Sequence, residues 1–380
     1  MDLILKGGRV IDPASGTDAV LDVAFEDGLV AAIAPSIQPS EECQIKDVTG
    51  RIVTPGLIDM HTHVYWGGTS LSIDAEDFCR KSAVTTCVDT GSAGPGNFAG
   101  FRKHVIEESL VRIVPYLHIS FAGIFGFSKT IMVGESEDIR LMAPVDAVRV
   151  VEENRDMIAG IKVRLGRHAS GIHGMTPMTY AVQVAEEVEL PMMVHIDEPP
   201  PSYEAVLEAM RPGDVLTHAF RPFPNSPVNG VGKVKDEVLA ARDRGVLFDI
   251  GHGMGSFGFD TAKAMLDNGF MPDTISSDIH KLCIDGPAYD QVTTLSKFLC
   301  LGMGLNEVIA ASTVNAGKAL QMPELGVLEV GGIGDASILS IEEDEFPYED
   351  VLGEILVGDK RIAAKGAVVN GEWWDCEESD

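Results

Sequence analysis

Residues 52–63 read IVTPGLIDMHTH, an apolar run that ends on His61, Thr62 and His63. It is too short and too rich in β-branched and apolar residues for a surface helix, so it reads as a buried strand stopped by polar groups. Seven further runs have the same character: Val84–Thr90, Ile113–Phe121, Ile158–Leu165, Met192–Asp197, Val215–His218, Val246–Ile250 and Thr274–Asp278. Between them, EDFCRKSA, VDAVRVVEENRDMI, MTYAVQVAEEVE, KDEVLAARDRG and DTAKAMLDNG carry apolar residues at helical spacing. Eight strands alternating with helices over this span predict a (β/α)8 TIM barrel, in the α/β class. A doubly wound sheet would usually need fewer strands. The longest connection, Ala122–Val145, is expected to be a lid or an interface loop.

Outward from the barrel the pattern changes. Residues 1–55 are short alternating runs with turns, and LGVLEVGGIGDASILSI and ILVGDKRIAAKGAVVNGEWW repeat that pattern near the other end. This predicts a small β-sandwich domain built from both termini, residues 1–55 with 324–380, around a barrel domain of residues 56–323. The acidic runs Glu342–Glu345 and Glu377–Asp380 are expected to be solvated surface.

The 380 residues are 45% hydrophobic and 23% charged, enough apolar material for a sizeable core and unlike a disordered chain. A formal net charge of −29 argues against binding a nucleic-acid backbone or an anionic membrane surface. No run of about 18 uncharged apolar residues predicts a transmembrane helix. The opening MDLILKGGRVIDP has no basic segment or cleavage site of a secretory signal. Cys43, Cys79, Cys87, Cys283, Cys300 and Cys376 are scattered without a CxxC pair, as expected of free thiols in a reducing, cytoplasmic setting.

Strand side chains alternate, so His61 and His63 face the same way and can share a metal ion through their ring nitrogens. Asp59 shares that face and is expected to support the site. Lys162, His195, His218 and Asp278 fall at the ends of four other predicted strands, on the face where barrel active sites are built. Each alone is more simply a structural residue. Their recurrence at one level of one barrel is what points to a site. Arg164, two residues beyond Lys162, shares its inward face and, its direction being set by the strand, leads the candidates for holding a substrate carboxylate. Arg167, His168, His173 and Arg221 follow in neighbouring loops, and these basic groups either hold a substrate carboxylate or neutralise an acidic rim. Gly253, Gly255 and Gly258 formally match a dinucleotide fingerprint, but the match lies late in a barrel rather than in the first βαβ unit, so a compact substrate-facing loop is expected instead. His252, Tyr65 and His280 are further candidates for substrate contact, while Tyr65 and Trp66 are equally suited to packing their loop.

PGLIDMHTH, with Lys162, His195, His218 and Asp278, resembles the amidohydrolase superfamily of metal-dependent hydrolases, in its dihydroorotase-like and adenine-deaminase-like branch. ASTVNAGKALQ is similar to that family's Thr-x-Asn-Pro-Ala segment, with Ala316 in the proline position, and GDASILSI to the segment returning to the sandwich. The resemblance implies two divalent metal ions, zinc being the expected one. His61, His63 and Asp278 would bind the more buried ion, His195 and His218 the more exposed one, and Lys162 would bridge them as a carbamate made with CO2. A carbamate offers two anionic oxygens where an ammonium has no lone pair. The alternative for Lys162 is a salt-bridged lysine. The implied chemistry is attack by a metal-bridging hydroxide, with Asp278 taking and passing on its proton. The expected substrate is a small carboxylate-bearing acyl compound cleaved at an amide or ester bond, as in deacetylation of an N-acetyl amino acid or O-acetyl hydroxy acid. Ring opening of a cyclic amide, deamination of a heterocycle and a non-catalytic scaffold are the alternatives. Barrel hydrolases of this type commonly self-associate, so a homo-oligomer is expected.

Overall fold

A computed structural model describes residues 1–376; the acidic run Glu377–Asp380 lies outside the described residues. The chain opens with β1 (Leu3–Asp12), β2 (Thr17–Glu26), β3 (Leu29–Ala34), β4 (Gln44–Asp47) and β5 (Ile52–Pro55). A parallel series follows: β6 (Leu57–Thr62), β7 (Val84–Thr90), β8 (Arg112–His118), β9 (Gly160–Leu165), β10 (Met192–Ile196), β11 (Val215–Leu216) and β12 (Leu247–Phe248). The chain then returns to the first sheet with β13 (Ala336–Glu349), β14 (Ile355–Val369) and β15 (Glu372–Trp374).

The terminal strands form one eight-stranded sheet in the order β15-β14-β13-β5-β1-β2-β3, with β4 pairing the other end of β1. The join between the two ends is antiparallel, from Pro55 opposite Ala336 to Ile52 opposite Leu339. Alternation puts Leu3 and Leu5, and a register shift between Leu5 and Gly8 puts Val10, into an apolar cluster with Val23, Phe25, Val53, Ile338 and Val368. Glu342–Glu345 lies on β13, where Asp344 and Glu345 are exposed and Glu342 pairs with Arg361 and Lys365.

The predicted helical segments are helices, including Ala75–Ser82, Pro144–Glu153, Thr176–Glu187, Asp236–Asp243 and Phe259–Asp267. The first shows the local causes clearly. Asp74 caps it by accepting from the N–H groups of Glu76 and Asp77, Phe78 and Cys79 are buried, and Ala83 ends it at φ 52°.

β6 to β12 are hydrogen-bonded in sequence order, and the core of the molecule lies between them and the helices. The eighth position is different from the predicted strand. Residues 274–279 run alongside β12 and β6 and accept backbone bonds from the N–H groups of Ile250, His252, Gly253 and His63, but regular strand pairing is confined to single bridges, Asp249 with Thr274 and Thr62 with Ile279. Here the Ser277 backbone N–H donates to Asp59 and the Gly251 N–H to Ser276 Oγ, and Asp278 turns at φ 49°. Such side-chain bonds compete with a regular ladder.

The terminal sheet is seated at the starts of the barrel strands. Ser337 Oγ accepts from Leu57 N–H at 2.9 Å and donates to the carbonyl of Ala83, and Arg112 pairs with Asp335. The site therefore lies at the opposite, C-terminal end. Among the described residues no helix is long and apolar enough to cross a membrane.

Candidate active site

The ends of β6, β9 and β10, with the segments after β11 and β12, bring the six predicted ligand residues together. His61 Nε2 and His63 Nε2 each lie 3.3 Å from the same oxygen, Asp278 Oδ1. Lys162 Nζ is 3.5 Å from His61 Nε2. His218 stands 5.1 Å from His61 and 4.4 Å from His195 between ring centroids. Single donor atoms of His61, His218 and Asp278 all fall within 4.8 Å of one another. His218 and Asp278 both sit in the left-handed region, at φ 63° and 49°, a conformation retained only where the surroundings enforce it.

Hydrogen-bond bookkeeping fixes which nitrogens are free. The Asp249 carboxylate can only accept, and Thr217 Oγ1 donates to it at 2.8 Å. The same hydroxyl lies 2.8 Å from His61 Nδ1, so that nitrogen carries the proton and Nε2 presents a lone pair to Asp278. His218 Nδ1 donates to the Gly251 carbonyl at 2.7 Å, which likewise frees its Nε2. His63 Nδ1 is held 2.9 Å from Ser92 Oγ. These outer bonds orient the rings in the manner of a metal site. Asp59 stays outside the cluster and accepts from the backbone N–H groups of Ser277 and His61.

Burial keeps the imidazoles neutral. It pushes His61, His195 and His218 well below the usual histidine range and His63 down to about 3. Burial also brings Lys162 down to about 7, against the opposing charge of Asp278, and raises Asp278 to about 6. The cluster therefore offers free lone pairs, a carboxylate and a lysine able to lose its proton.

These residues fit a divalent ion. Ligands held at about 2.0–2.1 Å around a tetrahedral ion stand roughly 3.3–3.4 Å apart, the spacing of His61 and His63 from Asp278. His195 Nε2 is buried without a partner, 3.7 Å from the equally unpartnered Asp197 Oδ2. A histidine coordinating through its other nitrogen would point a proton at that oxygen.

A cavity of about 250 Å³ opens above the cluster. His61, His63, Arg164, His168, His195, Asp197, Glu198, His218, Arg221, Ser256, Asp278 and His280 form its polar part, and Leu71, Ile124, Phe127, Met132 and Met254 form apolar wall. Ile124, Phe127 and Met132 come from the long loop after β8, which therefore covers its own chain's site. The same loop delivers Glu135, whose carboxylate accepts from Arg164 Nη1 at 3.0 Å and from His118 Nε2 at 3.2 Å. His118 Nδ1 accepts from Ser120 N–H, so its proton is on the side facing Glu135. Burial alone would raise the Glu135 carboxyl, but Arg164 and His118 outweigh it and hold it at about 2. Sequence reading did not single out Glu135 or His118. Glu135 carries no motif, and its partner is remote in sequence.

The substrate-side candidates divide. Arg164 and His280 line the cavity, and His280 Nδ1 accepts from Leu282 N–H, leaving its proton on the other nitrogen. His252 does not line it. That ring is buried against Phe257, with Nδ1 2.9 Å from the Gly253 carbonyl and Nε2 2.8 Å from Lys297 Nζ. Tyr65 is also outside, packed at a tilt against Phe101 with its hydroxyl donating to the Asn97 carbonyl. Both are corrected to structural roles. Met254, Gly255 and Ser256 of the glycine-rich loop do reach the cavity. A Cβ at Gly253, which has φ 53°, would come within 2.2 Å of Asp278 Oδ2. His168 lines the rim, whereas Arg167 and His173 do not reach the cavity.

Residues 52–373 match the Amidohydrolase family, and the chain belongs to it. A deacetylase of Agrobacterium fabrum is 33% identical over 349 residues, 91% of this chain and 84% of its own length. A deacetylase of Enterococcus faecalis is 30% identical over 377 residues, 98% of this chain and 99% of its own. Two crystal structures superpose closely. One, titled an adenine deaminase, gives a TM-score of 0.91 at 29% identity, covering 98% of this chain and 99% of that one. The other, titled a dihydroorotase, gives 0.90 at 31%, covering 98% of each. The fold is thus the metal-binding barrel of that family, and the protein is a hydrolase.

Proposed function

We propose that this protein removes an acyl group, of acetyl size, from a small carboxylate-bearing compound by cleaving an amide or ester bond. The observation that carries this reading is the convergence of His61 and His63 on Asp278 Oδ1 beneath a small cavity that also holds two guanidinium groups, Arg164 and Arg221. The deacetylase relatives support it.

His61, His63 and Asp278 would hold one divalent ion and His195 and His218 a second, with Lys162 between them as a carbamate formed from its neutral amine and CO2. When bound, such ions acidify water and polarise the acyl carbonyl. The chain supplies the rest. Asp278 takes the proton of the attacking water and returns it to the departing nitrogen or oxygen. His280 offers an N–H at the cavity wall, and the apolar residues of the long loop exclude bulk water. Opening of a cyclic amide is the second reading, supported by the neighbour titled a dihydroorotase.

The test begins with protein grown with zinc and bicarbonate. Two metals per chain are expected, with turnover on a panel of N-acetyl amino acids and O-acetyl hydroxy acids exceeding that on cyclic amides and heterocyclic amines. The Asp278→Asn variant should fold and lose about 10²–10⁴-fold in kcat. Undiminished turnover in that variant, or one metal or fewer per chain, would overturn the mechanism.

A further inference from the structure

The two arginines in the cavity are not equivalent. Arg164 is already neutralised: Glu135 accepts from its Nη1 at 3.0 Å, and its guanidinium lies 5.2 Å over the Phe127 ring. Arg221 is just as buried, at 6% exposure, yet among the described residues it makes no ion pair. Its one side-chain hydrogen bond runs from Nη1 to the neutral carbonyl of Ile196. Its Nε is buried with no acceptor at all.

Arg221 is also fixed close to the chemistry. Its backbone N–H donates to the carbonyl of His218 at 3.2 Å, so it shares a turn with that residue. Nearby carboxylates do not satisfy it. Asp197 keeps an unpartnered Oδ2 and does not bond to it, while Glu198 lies toward His168 and Arg167 at 3.7 and 3.9 Å. A guanidinium is a planar set of N–H donors that matches a carboxylate in pairs, and it keeps its charge when buried. A buried, charged and mostly unbonded guanidinium facing a cavity needs an anion.

We propose that Arg221 is the residue that binds the substrate carboxylate and makes the enzyme select anionic acyl compounds, while Arg164, spent on Glu135, shapes the wall. This rests on the reading of the substrate as a carboxylate given above. It also departs from the sequence expectation, which favoured Arg164.

The experiment compares each acetylated acid of the panel with its uncharged carboxamide, in the native enzyme and in Arg221→Met. The native enzyme is expected to prefer the acid. In Arg221→Met, KM for the acid should rise at least about thirty-fold while kcat/KM for the carboxamide falls by a clearly smaller factor. Calorimetric binding of the deacetylated product acid should be lost to a similar degree. Arg221→Lys, which keeps the charge without the paired donors, should recover part of the affinity and serves if the methionine variant does not fold. If the native enzyme does not distinguish acid from carboxamide, the carboxylate reading itself is wrong. If it does and both Arg221 variants keep the preference and the product affinity, this assignment alone is overturned. An equal loss on acid and carboxamide also overturns it, because that is what a merely structural arginine would give.

Discussion

Glu135 shows how one buried carboxylate can be held charged inside a mostly apolar wall. Its bonds to Arg164 and His118 keep the folded-state pKa at about 2, below the usual value of 4.5. The stabilisation this represents is complete above about pH 4.5 and is lost as the pH falls toward 2. Two to three pKa units correspond to on the order of 3 kcal/mol. The Glu135→Gln variant is therefore expected to be less stable than the native chain by about that amount at pH 7, with the difference roughly halved by pH 3 and closing only below about pH 2. Urea denaturation at pH 7, 5 and 3 would check this, and a gap that stayed constant would contradict it. At this scale the residues that cluster at the barrel mouth were legible in the sequence because the ends of barrel strands have a known direction. His61, His63, Lys162, His195, His218 and Asp278 were placed at predicted strand ends, and they do converge, although Asp278 sits on a segment that is not a regular strand. Tyr65 and His252 were not readable in this way. They sit in loops, where a side chain's direction depends on partners such as Asn97 and Lys297 that sequence spacing does not reveal.

The long loop after β8 is the element that turns an open barrel mouth into a pocket. Its entry into the site depends on a close backbone approach at Gly134, where a Cβ would stand 2.3 Å from the His168 carbonyl and 2.5 Å from that of Ala169. A Gly134→Val substitution must push these strands of backbone apart and withdraw Glu135 from Arg164. The expected cost is about 1–3 kcal/mol of stability together with a rise in KM. A denaturation curve and steady-state kinetics on the same preparation would check it, and unchanged values in both would show the approach to be unimportant. The eighth barrel segment is the other element the sequence did not fully disclose. Its apolar content reads as a strand, but Asp59 takes the Ser277 backbone N–H and Asp278 turns into the left-handed region, so regular strand pairing there is reduced to single bridges. That irregular segment is also the one that carries Asp278.

Across the whole molecule the dominant electrostatic fact is the net charge of −29. Like charges spread over one compact body repel, and salt screens that repulsion over a Debye length of about 10 Å at 0.1 M. The thermal midpoint is expected to rise by about 2–5 °C between 10 mM and 0.3 M sodium chloride, as read by calorimetry. A fall over that range would mean that attractive surface pairs such as Arg102 with Asp156 outweigh the repulsion. The molecule-wide plan, a barrel interrupting a sheet, was visible in the sequence because both ends share the same alternating pattern. The sheet's strand order was not, since pairing between distant strands leaves no local mark.

That pairing has a consequence during synthesis. The edge of β5 is completed only by β13, and Pro55 and Ala336 are 281 positions apart. At about 5–20 residues per second, the ribosome needs roughly 15–60 s to deliver the partner. Throughout that interval the nascent chain carries an unfinished apolar sheet edge, free to pair with another chain. The earliest-made part of this protein is therefore among the last to be sheltered, and crowded expression would be punished there first.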